Sequence, residues 1–256
     1  MTSLFDLSGK TAIITGSSRG IGKAIAEQMA AHGAKVVISS RKAEACQKVA
    51  DEINDTHGAG SAIAVAANIS SKSELENLVA ETQKAFGDIH ILVCNAASNP
   101  YYGPMAGISD SEFEKIMTNN IIANNWLATL VSPQMIARKD GAIIIVSSIG
   151  GLKGSSVIGA YSISKAADFQ LARNLCVEYG KHNIRVNCIA PGLIQTDFAR
   201  ALWENPQNLK AALARTPMGR IGQADEIAGA AIFLASKAGA YTNGQQIVID
   251  GGATIT

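Results

Sequence analysis

Short apolar runs rich in β-branched residues alternate with stretches of helical periodicity along almost the whole chain. The runs at 11–15, 35–39, 61–66, 89–95, 142–147, 184–190 and 246–250 predict strands. Most are continuously apolar instead of alternating, the pattern of strands covered by helices on both faces of a parallel sheet. Between them, apolar residues recur with helical spacing near 21–32, 42–57, 71–86, 110–138, 161–181 and 224–236. Ser71 followed by Glu74 resembles a capping box, a helix start signal. β-α-β crossovers of one hand then give an α/β, Rossmann-type doubly wound sheet of about seven parallel strands. The one long departure lies at 192–223, between the sixth strand and the next helix. Leu193, Ile194, Phe198, Leu202, Trp203 and Met218 give it an apolar side, favouring a substrate flap over a subunit contact.

Composition narrows the class. The 256 residues are 47% hydrophobic and 17% charged, which excludes a disordered chain and supports one domain over 1–256. A net charge of +1 gives no bulk attraction to nucleic acid or an anionic membrane. The longest apolar runs, 142–146 and 230–235, fall far short of the ~20 residues of a membrane helix. MTSLFDLSGK lacks a basic segment followed by an apolar one, so no secretory signal is expected. Cys46, Cys94, Cys176 and Cys188 lie far apart and form no CxxC, which suits buried thiols in a reducing cytoplasm and no metal site.

Chemistry concentrates at two places. The first strand runs into Thr15-Gly16-Ser17-Ser18-Arg19-Gly20-Ile21-Gly22, with a helix directly after. Glycines permit a sharp turn and close ligand approach, and a helix N-terminus offers free N–H groups to a pyrophosphate. In that strand–loop–helix context the pattern predicts a dinucleotide site, although as a loose motif it also occurs in ordinary βα turns. At the end of the second strand an NAD site usually carries a carboxylate, whereas an Arg accommodates a 2′-phosphate. Here the strand ends Ser39-Ser40-Arg41-Lys42, so NADP(H) is favoured over NAD(H), with Arg19 able to approach from the other side.

The second place is Ser147-Ser148-Ile149 followed by Tyr161-Ser162-Ile163-Ser164-Lys165. Tyr161 and Lys165 share a helix face. A free phenol has a pKa of about 10, too high for a base at neutral pH. An ammonium ~4 Å away contributes roughly 4 kcal/mol to the phenolate, enough to lower that value by up to ~3 units before desolvation subtracts. Such a phenol exchanges a proton with an alcohol or carbonyl oxygen, and a neighbouring Ser hydroxyl stabilises charge on the same oxygen. YxxxK alone occurs by chance on surface helices; with the upstream Ser and the glycine loop it becomes specific.

Over essentially its whole length the chain resembles the short-chain dehydrogenase/reductase family, on TGSSRGIG (15–22), CNAA (94–97), the Asn of MTNNIIAN (117–124), SSIGG (147–151), YSISK (161–165), APGLIQT (190–196) and DGG (250–252). SSRK and CNAASNP resemble the NADP-dependent carbonyl and retinal reductase branch, beside 3-oxoacyl-carrier-protein reductase-like members. The resemblance implies Tyr161 as acid/base, Lys165 as its activator and ribose ligand, and Ser148, chosen over Ser147, as the polarising hydroxyl. Asn120, chosen over Asn119, would support a water in a proton relay. The implied cofactor set is Gly16, Ser18, Arg19, Gly20, Ile21, Gly22, Ser40, Arg41, Asn68, Ile69, Asn95, Ala96, Tyr161, Lys165, Pro191, Gly192, Ile194 and Thr196. Pro-S hydride transfer and a homotetramer built through the helices near 110–138 and 161–181 and the last strand are implied likewise. Three positions depart from the pattern. Ala97 replaces the glycine of NNAG, Ala123 that of NxxG, and Asn68 stands where an Asp usually touches the adenine, keeping an acceptor without the charge.

The substrate walls are expected from 98–108, 149–158 and the flap. Tyr101, Tyr102, Met105, Leu152, Val157, Ile158, Phe198 and Trp203 are mainly apolar, with Lys153 the one cation among them. That points to a small-molecule carbonyl or alcohol with a hydrophobic body. Two rivals remain at this level: a non-enzymatic NADP(H) sensor, which has no need of Ser148, Tyr161 and Lys165 together, and an epimerase or dehydratase relative, whose usual C-terminal sugar-nucleotide domain has no room here.

Overall fold

The computed structural model describes residues 3–256. Seven strands, β1 (Thr11–Thr15), β2 (Lys35–Ser39), β3 (Ala62–Ala64), β4 (Ile91–Cys94), β5 (Gly141–Val146), β6 (Ile184–Pro191) and β7 (Gln246–Ile249), form one sheet in the order 3-2-1-4-5-6-7. All six pairings are parallel. The helices are α1 (Gly20–Ala31), α2 (Ala43–His57), α3 (Lys72–Phe86), α4 (Asp110–Met117), α5 (Ala123–Arg138), α6 (Gly159–Tyr179), α7 (Arg200–Trp203), α8 (Pro206–Leu213) and α9 (Ala224–Ala235).

The period-2 geometry of a strand sends successive side chains to opposite faces. An uninterrupted apolar run therefore feeds two cores at once. Ala12 and Ile14 join one cluster with Ile25 of α1, Val49 of α2 and Ile227 of α9, while Ile13 joins the other with Leu75 of α3, Leu127 of α5 and Phe169 of α6. β5 divides the same way, Ile144 and Val146 to the first cluster and Ile143 and Ile145 to the second. The strand order reverses between β1 and β4, so the connections leaving them run to opposite faces of the sheet and open the crevice where open α/β sheets bind ligands.

The element order follows the hydrophobic pattern, with differences at the ends. β3 is only three residues long, not six, and β4 spans 91–94 instead of 89–95. The helix expected over 110–138 is two, joined by a turn of π-helix at Thr118–Ile122. Its cause lies in Asn119 and Asn120, whose amides turn inward to bond Ser98. At α3 the Ser71 hydroxyl does accept from Glu74 N–H, but the Glu74 carboxylate accepts from Asn68 N–H and not from Ser71, so the box is half made. A reciprocal box is made at Ser109 and Glu112, opening α4.

Candidate active site

At the β1 end the chain turns through Gly16, in the left-handed region at φ 66°. A Cβ on Gly16 would lie 2.9 Å from Ala96 Cα, and one on Gly22 would lie 2.5 Å from both Gly16 O and Asn95 Nδ2. These glycines let three segments close into a cradle. Asn95 stitches it, its Nδ2 donating to the carbonyls of Thr15 (2.9 Å) and Gly16 (3.2 Å). Thr15 Oγ1 accepts from the N–H groups of Asn95 and Ala96 at 3.1 Å each. Fully buried Ser17, absent from the expected set, donates to Ile14 O (2.6 Å) and accepts from Ser39 N–H (2.9 Å), tying the loop to β2.

α1 begins at Gly20 with no side chain capping its first turn, as at α2, α5, α6 and α7, but α1 is the helix that starts directly from the glycine cradle. Its leading N–H groups and dipole therefore face the cradle uncompensated, as an anion requires. A dinucleotide pyrophosphate fits these residues. Arg41 is exposed at the end of β2, beside Ser40, whose hydroxyl meets Cys46 Sγ at 3.1 Å. Arg19 is paired with Asp197 of the flap, Nη1 to Oδ2 3.2 Å, in place of standing free. Asn68 Oδ1 accepts from Ser70 N–H at 3.2 Å, and Ile69 packs against the second core cluster.

The chemical groups converge where β5 ends. Ser147 turns inward and donates to Lys165 O at 2.7 Å, whereas Ser148 Oγ accepts from Gly150 N–H at 3.0 Å. Gly150 lies between the partners: a Cβ built there would be 3.3 Å from Ser148 Oγ and 3.8 Å from Tyr161 Cε1. Tyr161 and Lys165 rise from the first two turns of α6, with Lys165 Nζ 5.7 Å from the phenol ring centroid. Asn120 Nδ2 donates to Ser98 O (3.1 Å) and Ser164 Oγ (2.9 Å), and its Oδ1 accepts from Ser98 N–H (2.8 Å). The side chain thus staples the segment after β4 to α6. Its main-chain carbonyl accepts from Asn124 Nδ2 at 2.6 Å.

The electrostatics depart from the sequence expectation. Lys165 Nζ donates to Val146 O and to Asp168 Oδ2, both at 3.0 Å, and the ion pair is almost wholly buried, 2% and 0% exposed. Burial pushes the Tyr161 phenol above its ordinary value; the Lys165 ammonium and the Ser148 hydroxyl pull it down, and Asp168 opposes them. Desolvation and the nearby anion thus oppose the lowering that the Lys165 ammonium exerts. Burial works against the Lys165 ammonium, but Asp168 and Tyr161 outweigh it and hold it above the ordinary ammonium range; burial in turn pushes the Asp168 carboxyl up, against the pull of Lys165, Asn124 and Ser147. Asp168 and its partner Asn124 were not among the expected site residues. Asp168 falls in line with Tyr161 and Lys165 on one face of α6, but neither its burial nor its partner on α5 shows in the sequence.

The segment 192–223 packs beside Tyr161. Pro191 ends β6, and Gly192 donates to Ile249 O at 2.9 Å in a space where a Cβ would lie 2.7 Å from Asp250 Cα. Ile194 is buried and bridges to Gly222; Thr196 O accepts from Trp203 Nε1 at 2.9 Å. Phe198, 56% exposed, stands over Tyr161 with ring centroids 6.0 Å apart. No helix of the described residues is long and apolar enough to cross a membrane.

Sheet order, glycine cradle and the Ser–Tyr–Lys corner define a Rossmann-type oxidoreductase. A family model described as enoyl-(acyl carrier protein) reductase matches residues 16–254. Dehydrogenase/reductase SDR family member 4 of Bos taurus is 38% identical over 248 residues, covering 96% of this chain and 88% of that protein. The crystal structure of a gluconate 5-dehydrogenase from Burkholderia cenocepacia, in complex with NADP and tartrate, superposes with a TM-score of 0.93 at 33% identity, covering 98% of both chains. A 7α-hydroxysteroid dehydrogenase complexed with NADH and a 7-oxo bile acid superposes with a TM-score of 0.92 at 37% identity, covering 97% of this chain and 95% of that one. The chain belongs to the short-chain dehydrogenase/reductase family. The non-enzymatic sensor reading falls with that assignment, since the relatives are dehydrogenases and reductases.

Proposed function

We propose that this oxidoreductase moves a hydride between NADP(H) and a carbonyl or secondary alcohol with a hydrophobic body, with Tyr161 as acid/base. When bound, the nicotinamide supplies or accepts the hydride. Gly16, Ser18, Arg19, Gly20, Ile21 and Gly22 hold the pyrophosphate end, Ser40 and Arg41 the adenosine ribose, and Asn68 and Ile69 the adenine. Asn95 and Ala96 line the crevice, and Pro191, Gly192, Ile194 and Thr196 face the nicotinamide. The observation that carries the reading is the meeting of Ser148 and Tyr161 beside Gly150, with Lys165 Nζ 5.7 Å from the phenol ring.

A phenol held above its ordinary value keeps its proton through neutral pH and is ready to give it to a carbonyl oxygen. Ser148 Oγ is placed to donate to the same oxygen, stabilising negative charge as it develops. Lys165 holds the nicotinamide ribose and stabilises the phenolate left behind. Asn120 fixes the segment after β4 against α6, and its carbonyl ends a polar chain through Asn124 and Asp168 to Lys165. Phe198 and the apolar residues of 149–158 suit a hydrophobic substrate body. Arg41 with no carboxylate beside it favours the 2′-phosphate. Apolar side chains exposed on α6 (Ile163, and Val177 at 84%) and β7 (Val248) suit the homotetramer.

The test is a crossed panel of NADPH and NADH against diketones, keto esters, quinones, retinoids, acyl thioesters and an enoyl thioester. NADPH-linked turnover of apolar carbonyls is expected. A clear NADH preference would overturn the role given to Arg41, and turnover confined to the enoyl thioester would overturn carbonyl chemistry.

A further inference from the structure

Ser17 ties the glycine loop to the end of β2 twice, its N–H donating to Ser39 O at 3.1 Å and its hydroxyl accepting from Ser39 N–H at 2.9 Å. Arg19 and Arg41 each stand two residues beyond that tie, close to the place proposed for the adenosine ribose. Arg41 is exposed there. The Arg19 side chain, 69% exposed, reaches across to the segment 192–223, its Nη1 3.2 Å from Asp197 Oδ2. The two segments touch at this point, since a Cβ on Gly20 would lie 3.3 Å from Thr196 Cγ2. Asp197 does not depend on Arg19 for a partner. Its Oδ1 accepts from Arg200 Nη2 at 2.6 Å, and Arg200 Nε lies 3.5 Å from Glu204 Oε1, all within the same segment. The two guanidiniums, Arg200 foremost, hold the Asp197 carboxyl below the ordinary carboxylate range, so it is an anion at neutral pH.

We propose that Asp197 sets how strongly the protein discriminates between the two cofactors: its carboxylate competes with the 2′-phosphate of NADP(H) for the Arg19 guanidinium and so restrains the preference that Arg41 confers. The inference rests on the NADP(H) reading and deepens it. Both anions are drawn to one cation, and a carboxylate held 3.2 Å from that cation repels a phosphate brought beside it. NAD(H) lacks the phosphate, has nothing to set against the pair, and leaves it intact. The protein gives up little in the exchange. An ion pair between exposed side chains is weak, and Asp197 keeps Arg200 when Arg19 turns away, so no carboxylate is stranded. The phosphate is the stronger partner, because it carries more charge and offers more oxygens to the guanidinium fork.

The test is calorimetric titration with NADP+ and NAD+, which differ only in the 2′-phosphate, so that binding is read without turnover. The quantity of interest is the ratio of the two Kd values in the parent, Asp197→Asn, Arg19→Gln and the double variant. Both side chains are exposed, so neither substitution disturbs the core. Asp197→Asn should tighten NADP+ about threefold or more and leave NAD+ within about twofold, raising the ratio. In the Arg19→Gln background the same substitution should leave the ratio where it stands, because the cation under competition is gone. A ratio unchanged by Asp197→Asn, an equal shift for both cofactors, or a rise that persists without Arg19 overturns the inference; the equal shift is what a merely structural tie between the two segments gives. A parent with no preference for NADP+ overturns the role given to Arg41 instead. Asp197→Asn then decides the present claim alone: a preference that emerges supports it, and none overturns it.

Discussion

Ser17 shows how much a single hydroxyl carries in the cofactor cradle. It donates to the Ile14 carbonyl of β1 and accepts from the Ser39 N–H of β2, with no solvent to replace either bond. Ser17→Ala leaves a buried N–H without a partner, and we expect a loss of about 1–3 kcal/mol in urea unfolding. Gly22→Ala acts on binding instead. Its Cβ would collide with Gly16 O and Asn95 Nδ2, so the loop must open. NADPH affinity should fall about tenfold or more, read by quenching of protein fluorescence, while circular dichroism stays unchanged. Tyr161 and Lys165 were legible because a four-residue spacing fixes a shared helix face whatever the tertiary structure does. Asp168 and Asn124 were not, because a sequence does not say which charged or amide side chains of two distant helices are buried together.

Among the elements, the segment 192–223 is anchored where it enters α9. Glu226 accepts from Arg220 Nη2 (2.6 Å), Arg220 Nη1 (2.8 Å) and Gln223 N–H (2.8 Å). The Arg220 bonds, then the Gln223 amide, hold its carboxyl down at about 2 from the ordinary 4.5. A folded-state value below the unfolded one stabilises the fold above the unfolded value and ceases to do so as pH falls through the folded one. Parent and Glu226→Gln should therefore differ in thermal midpoint above about pH 4.5 and converge towards about pH 2, a series that differential scanning fluorimetry reads directly. The strands were legible because runs such as Thr11–Thr15 are buried on both faces. The break at Thr118–Ile122 was not, since no Gly or Pro marks a π-turn and its cause is a distant partner, Ser98.

At the scale of the molecule, sheet order decides where chemistry can occur. The reversal between β1 and β4 opens the crevice, and the end of β5 brings Ser148 to α6, so the glycine cradle and Tyr161 both lie at the C-terminal end of the sheet. This much could be read from the order and spacing of the motifs. The charge balance could not, because it depends on a buried anion that folding brings to Lys165. The central claim is that Tyr161 gives its proton to a carbonyl oxygen. Its most direct measurement is rapid-mixing observation of NADPH oxidation by a reactive diketone, parent against Tyr161→Phe, with NADPH binding measured in parallel. Binding should be retained and the rate should drop about 10²-fold or more; an undiminished rate in a protein that still binds NADPH would contradict the account.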